Sequence, residues 1–202
     1  MEPSLVVTIL CSVGILVIAG ISWAAVYRKN HRAEAPDVLG DRKAARALAA
    51  CARRNGGKVL NGVSLSLDGE TVRLDDILIA PFGVLVVEAK NWAGTVYCNP
   101  NEAKWLQVLG DDRLYHDNPL LENRDHLESV RKLFREENIY RTTVEGAVVC
   151  TGARPELYVP RTVPVYTVKQ FKKLLKKPAY LADNKVDVEK VYQAIVKHQI
   201  AD

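Results

Sequence analysis

Asp75-Asp76-Ile77-Leu78-Ile79-Ala80-Pro81-Phe82-Gly83-Val84-Leu85-Val86-Val87-Glu88-Ala89-Lys90-Asn91-Trp92 reads as two strands joined by a tight Pro-Phe-Gly turn. Residues 84–87 form an apolar, β-branched run, the composition of a strand buried on both faces. Such a strand ends in acid and base only for a reason. Residues two apart in a strand share a face, so Glu88 and Lys90 point the same way. The preceding strand, over residues 71–79, brings Asp75 beside Glu88 if the two pair as a hairpin. Two carboxylates and one ammonium then converge at a sheet edge. Carboxylates forced together repel unless a hard cation sits between them, and Mg²⁺ is the usual one. A salt-bridged strand end without a cation is the other reading of the same spacing.

The surroundings of this stretch are as informative as the stretch itself. Asp75 followed by Glu88-x-Lys90 after an apolar strand resembles the PD-(D/E)xK nuclease superfamily. Leu74-Asp75-Asp76, the Gly83 turn, Val87-Glu88-Ala89-Lys90-Asn91-Trp92-x-Gly94, Trp105 and Asn118-Pro119-Leu120-x-x-Asn123-x-x-His126 together resemble the NERD (nuclease-related) domain. The resemblance runs over roughly residues 40–177. Three positions depart from the family's usual residues, and all three are acidic here: Asp76 for His, Glu122 for Gln, and Asp41 for Glu after Gly40.

The resemblance implies metal-assisted phosphodiester hydrolysis. Asp75 and Glu88 would hold Mg²⁺ (or Mn²⁺), with the Ala89 carbonyl as a third ligand. Lys90 would orient the attacking water or stabilise developing negative charge. Asp41, Asp76, Glu122 and His126 are secondary candidates; Glu122 and His126 are four apart and share one helix face.

The chain has 202 residues and a net charge of +4, which permits binding to an anionic polymer or a lipid surface and establishes neither. Residues 4–27 carry no charge and, at ~1.5 Å per residue, are long enough to cross a ~30 Å hydrocarbon core. Arg28-Lys29-Asn30-His31-Arg32 follows, so the positive-inside bias places the C-terminal side in the cytosol. The expected organisation is a transmembrane helix over 1–28 and a juxtamembrane linker over 29–39. A nuclease-related domain follows over 40–180, with a C-terminal helix packed on it over 181–202. Cys11, Cys51, Cys98 and Cys150 have no metal-like spacing and read as small buried residues in a reducing compartment. No phosphate-cradling glycine loop and no nucleophile elbow is present. His31, His116, His126 and His198 are too scattered for a zinc site.

The soluble part alternates periodicities. Residues 41–54 predict a helix with Ala44, Ala45, Leu48, Ala49 and Ala52 as its apolar face, stopped by Gly56-Gly57. Strands follow over 58–67 and 94–98, then a helix from Asn118 as N-cap and Pro119 at the first position. Strands over 146–150 and 163–167, a helix over 168–177 and a last helix over 186–200 complete the chain. This order predicts an α/β fold, a restriction-endonuclease-like sandwich with a mixed central sheet flanked by helices. Trp92 and Trp105 read as core anchors at the sheet edge, or as stacking partners for bases.

In the helix over 168–177, Lys169, Lys172, Lys173, Lys176 and Lys177 fall on one side, opposite Phe171, Leu174 and Leu175. That ridge suits a nucleic-acid backbone or an anionic lipid, or is simply a solvated face. The expected function is a membrane-anchored, cytosol-facing, Mg-dependent nuclease. The alternative is a catalytically inactive, membrane-tethered nucleic-acid-binding or scaffold module.

Overall fold

The structure, a computed structural model, describes residues 38–67 and 69–200. The expected membrane span over 4–27 lies outside them. Among the described residues no helix is long and apolar enough to cross a membrane.

Helix α1 (Val38–Asn55) buries Ala44, Ala47, Leu48, Cys51 and Ala52, a stripe at 3–4-residue spacing. The buried face is therefore turned slightly from the expected one: Ala45 and Ala49 are only half-buried. Its small side chains let the helix lie close on the sheet beneath. That sheet has five strands in the order β1-β2-β3-β7-β9. Strands β1 (Lys58–Leu67), β2 (Glu70–Ala80) and β3 (Gly83–Lys90) are antiparallel, whereas β7 (Val144–Cys150) and β9 (Val165–Thr167) run parallel to β3. All of β3 but Lys90 is buried, as its unbroken apolar run demands.

Four helices cover the two faces. Helices α1 and α3 (Val168–Leu174) pack over Leu78, Leu85 and Val87. Helices α2 (Pro119–Glu136) and α4 (Val188–Lys197) pack over Ile77, Val84 and Val86. The protein is thus an α/β fold with mixed sheet flanked by helices. Beyond α4, Ile200 N–H donates to Ser64 and Ser66 N–H to the His198 carbonyl, which covers part of the free edge of β1.

A second sheet, β6-β5-β4-β8, extends the sequence reading, which anticipated only its β4 strand. It comprises β4 (Thr95–Tyr97), β5 (Lys104–Leu109), β6 (Asp112–Asp117) and β8 (Glu156–Tyr158). Fully buried Trp105 and Val96 hold its inner face on Val148, Cys150 and Val165 of the large sheet. Trp105 donates its indole N–H to the Asn99 carbonyl at 2.7 Å, and Trp92 stacks on His116 at 4.6 Å. Trp105 is therefore a core anchor. Helix α3 also stops short of the expected position 177. Leu175 caps it, and Lys177 is extended (φ −68°, ψ 152°), as a residue before proline must be.

Helix α2 docks unusually close to the sheet. Asn118 caps it through Leu120 N–H, and Asn123 reaches down to donate to the Val86 carbonyl at 3.3 Å. Gly146 on β7 makes room: a Cβ there would lie 1.9 Å from Asn123 Oδ1 and 2.9 Å from Leu127 Cδ1. Gly146→Ala is expected to push α2 outward and destabilise by about 1–3 kcal/mol. For a chain of this size each kcal/mol lowers the melting midpoint by about 2–4 °C. A thermal melt with an unchanged midpoint would show that α2 does not depend on this contact.

Candidate active site

Two strands lose their alternation at one place, and that place is Asp75. On β2, Val72 and Leu74 face the α2/α4 core, and so do Ile77 and Ile79. Two residues rather than one therefore separate same-facing neighbours, and those two are Asp75 and Asp76. On β1, Leu60 and Val63 behave alike across Gly62, whose φ is +56°. The β1–β2 register omits Gly62 and Asp75. Such paired irregularities twist the ribbon and re-aim a side chain. The signal in the sequence was a glycine inside a strand, Gly62, which the sequence reading passed over.

The twist delivers Asp75 to the point where β2 leaves β3. Their pairing runs from Ala80 opposite Gly83 to Asp76 opposite Val87 and then ends. Past that point Asp75 Oδ2 accepts the Ala89 N–H at 3.0 Å, so a side chain takes over the ladder bond. A strand residue turns its N–H and C=O to the same edge, so the Ala89 carbonyl also faces the Asp75 side. The next residue faces the other way: the Lys90 carbonyl accepts the Thr151 N–H at 2.9 Å, on the β7 side.

Glu88 points to the opposite face from Val87, beneath α2. Its side chain is 1 % exposed, and an ionised carboxylate so buried needs partners. His126 Nδ1 lies 2.6 Å from Oε1, and Lys90 Nζ lies 3.7 Å from Oε2. Lys90 in turn holds Glu122 at 2.8 Å. Glu122 and His126 stand one turn apart on α2, so a single helix face supplies both partners. Three carboxylates against two cationic side chains leave the cluster net negative.

The protonation states follow from this packing. Burial raises the Glu88 pKa, but the hydrogen bond and charge of His126, the charge of Lys90 and the contact with Asp75 outweigh it and leave it below the usual 4.5. Burial lowers that of His126, yet the bond to Glu88 and the nearby Glu88, Glu122 and Asp75 charges hold it above 6.5. Burial also lowers that of Lys90, and the Glu122 bond, with the Glu122, Glu88 and Asp75 charges, reverses this and keeps the ammonium form.

The structure thus brings Asp75, Glu88, Ala89, Lys90, Glu122 and His126 together. It sets Asp76 apart: cross-strand from Val87, it lies on the α1 face, 1 % exposed, and accepts from Asn61 Nδ2 at 2.5 Å. Asp41 sits near the start of α1, and its side chain lies outside the described residues. Lys169, Lys172, Lys173, Lys176 and Lys177 are all exposed, but Lys176 and Lys177 lie beyond the end of α3. Helix α3 packs on the α1 face, away from the Glu88 carboxylate.

The His126–Glu88 pair carries a pH signature. A raised histidine pKa contributes stability that is complete below the unfolded value near 6.5 and is lost as pH rises through the folded value. The depressed Glu88 pKa contributes stability present above 4.5 and lost as pH falls through its folded value. The melting difference between the wild-type chain and His126→Gln, both in EDTA, should be largest between those limits and shrink toward alkaline pH. A difference constant from pH 5 to 9 would dissociate His126 from Glu88.

The nuclease-related domain (NERD) family matches residues 36–151. The match ends before the expected 177, just past the end of β7. An uncharacterized Bacillus anthracis protein is 32 % identical over 80 residues, which make up 39 % of this chain and 38 % of that protein. The chain thus aligns with well under two thirds of that relative. No solved structure matches. Because the family match takes in everything from α1 to β7, with Asp75, Glu88 and His126 inside it, the protein belongs to the nuclease-related domain family.

Proposed function

We propose that this protein is a membrane-anchored nuclease of the PD-(D/E)xK superfamily, with a restriction-endonuclease-like core facing the cytosol. It would hydrolyse phosphodiester bonds in nucleic acid with Mg²⁺ or Mn²⁺. The observation that carries this is the convergence of Asp75, Glu88 and Lys90 where β2 parts from β3. The mixed sheet β1-β2-β3-β7-β9, flanked by helices on both faces, supports this reading.

The donor set suits a hard divalent cation: two carboxylates, a carbonyl turned to the same edge, and net negative charge. Among the described residues no three His, Cys, Asp or Glu side chains form a ready metal cluster, so Ala89 and solvent would complete the shell. Such a cation, once bound, polarises the scissile phosphate and lowers the pKa of a bound water. The chain's own groups do the rest. Ala89 N–H orients Asp75, and His126 holds Glu88 in place. Lys90, kept protonated by its carboxylate neighbours, acts as a fixed positive charge toward the developing negative oxygen, not as a base.

One observation favours a second reading, a binding module without turnover. Lys90 Nζ is closer to Glu122 than to Glu88, 2.8 against 3.7 Å. Incubating the full chain with circular, linear and single-stranded substrates, with Mg²⁺, Mn²⁺ or EDTA, separates the two. Metal-dependent cleavage should fall by about 10²–10³ in Lys90→Ala, the scale for losing one oxyanion-stabilising group. Glu88→Gln should be similarly impaired, whereas Glu122→Gln should release Lys90 and cut no more slowly than wild type. Nucleic-acid binding with no cleavage under any metal would establish the second reading.

The anchor and its orientation rest on the uncharged residues 4–27 and the basic Arg28, Lys29 and Arg32 after them. A reporter fused after Asp202 should be protected from protease added outside intact cells. Digestion of that reporter would reverse the orientation, and a chain soluble without detergent would remove the span.

A further inference from the structure

The carboxyl ends of β7 and β9 open into a cleft of about 390 Å³, lined by Lys43, Thr151, Gly152, Arg154, Thr167 and Lys169 among others. Three separate elements contribute cationic residues to its lining: α1 supplies Lys43, the β7–β8 loop Arg154, and α3 Lys169. None of its lining residues is acidic. Lys43 does not wave in solvent. Its ammonium donates to the carbonyl of fully buried Thr151 at 2.5 Å, which fixes it at the floor.

The loop is built for this shape. Arg154 is one of few non-glycine residues with positive φ, at +48°, a conformation that costs energy and persists only where the surroundings impose it. Two residues earlier, a Cβ on Gly152 would stand 2.3 Å from the Trp92 carbonyl oxygen, so the loop lies directly against the chain leaving β3.

That contact places the cleft relative to the carboxylates. Thr151, at its floor, donates its N–H to the Lys90 carbonyl at 2.9 Å and its hydroxyl to the same oxygen at 3.3 Å. One residue, Lys90, therefore links the two: its side chain belongs to the Glu88 cluster and its carbonyl accepts from Thr151, which lines the cleft. A basic hollow and an acidic cluster adjoin along one sheet edge. The carboxyl ends of parallel strands are where α/β sheets take ligands.

We infer that this cleft is a second phosphate site, which holds the nucleic-acid backbone one or more nucleotides away from the phosphate presented to Asp75 and Glu88. It rests on the nuclease reading for its substrate class. The chemistry favours a phosphodiester: ammonium and guanidinium groups line the cleft, with no aromatic ring or side-chain amide in the lining to read a base. Arg154 and Lys169 lie beyond the family match, which ends at residue 151, whereas Lys43 and Thr151 lie within it.

The test measures binding of fluorescent single-stranded and duplex oligonucleotides to the full chain in EDTA over a range of NaCl. Arg154→Gln/Lys169→Gln, both at exposed positions, should weaken binding equally for unrelated sequences. The slope of log affinity against log salt should flatten by about 0.9 per lost contact on duplex and about 0.7 on single strand. The charge-reversed pair Arg154→Glu/Lys169→Glu should weaken it further. Circular dichroism confirms that each variant is folded. Unchanged affinity and slope in the folded Gln pair would overturn the inference. So would unchanged oligonucleotide binding accompanied by lost binding to phosphatidylglycerol vesicles, which would make the cleft a lipid-headgroup site. Cleavage plays no part in this readout. A wild-type chain that binds through Arg154 and Lys169 but never cuts in Mg²⁺ or Mn²⁺ would defeat the hydrolytic reading and leave this one standing.

Discussion

A carboxylate that is 1 % exposed near the end of a strand buried but for its last residue is the constraint to which the rest of this fold answers. Left alone, Glu88 would take up a proton, since burial penalises its charged form. It stays ionised because α2 brings His126 within 2.6 Å and because Lys90 follows two residues later on the same face. Both need backbone precision. The helix approaches only because Gly146 has no side chain and Asn123 bonds the strand beneath it. The three motif residues on and before α2 thus do different jobs: Asn118 starts the helix, Asn123 seats it, and His126 compensates Glu88.

Asp75 answers a different constraint, the parting of two strands. When β2 diverges from β3, an N–H is left without its ladder partner, and an unpaired buried N–H is costly. Asp75 accepts that N–H at 3.0 Å, which orients its carboxylate beside Glu88. The break in alternation across Gly62 and Asp75 is what turns it there. One backbone irregularity therefore solves a hydrogen-bonding problem and sets two carboxylates side by side.

What could be read ahead of the structure was what is local. The β2–β3 hairpin, the Asn118 cap and the shared face of Glu88 and Lys90 depend on residues near one another in the chain, and their periodicities are clean. The small sheet was legible only in part. Its strands of three and six residues are short and mostly mix polar and apolar side chains, and few inner-face residues, such as Trp105, Val96 and Leu157, betray that it stacks on anything. The cleft was invisible for another reason. Lys43 and the Thr151 carbonyl are 108 residues apart, and no spacing rule joins a helix, a loop and a second helix that meet only after the sheet has formed. Of the lysine ridge expected on one helix, only Lys169, Lys172 and Lys173 lie on α3, which ends at Leu174 ahead of the extended backbone that Pro178 imposes on Lys177.

The two faces of the large sheet then constrain where a polymer can lie. Glu88 and its partners sit on the α2 face, and α3 with Lys169 sits on the α1 face, so neither face alone presents both. Five packed strands separate them everywhere except at the carboxyl ends of β3, β7 and β9. There the two environments come within one residue of each other, at Lys90, whose side chain and carbonyl point into different neighbourhoods. A chain of phosphates crossing that edge would meet fixed cations on one side and paired carboxylates on the other. The opposite charges need not conflict, because phosphates a nucleotide apart can fall in different fields: one would be held by ammonium and guanidinium groups, and the next would meet the carboxylates through a cation. Edge binding, not face binding, is therefore the arrangement that lets all of these groups act on a single strand.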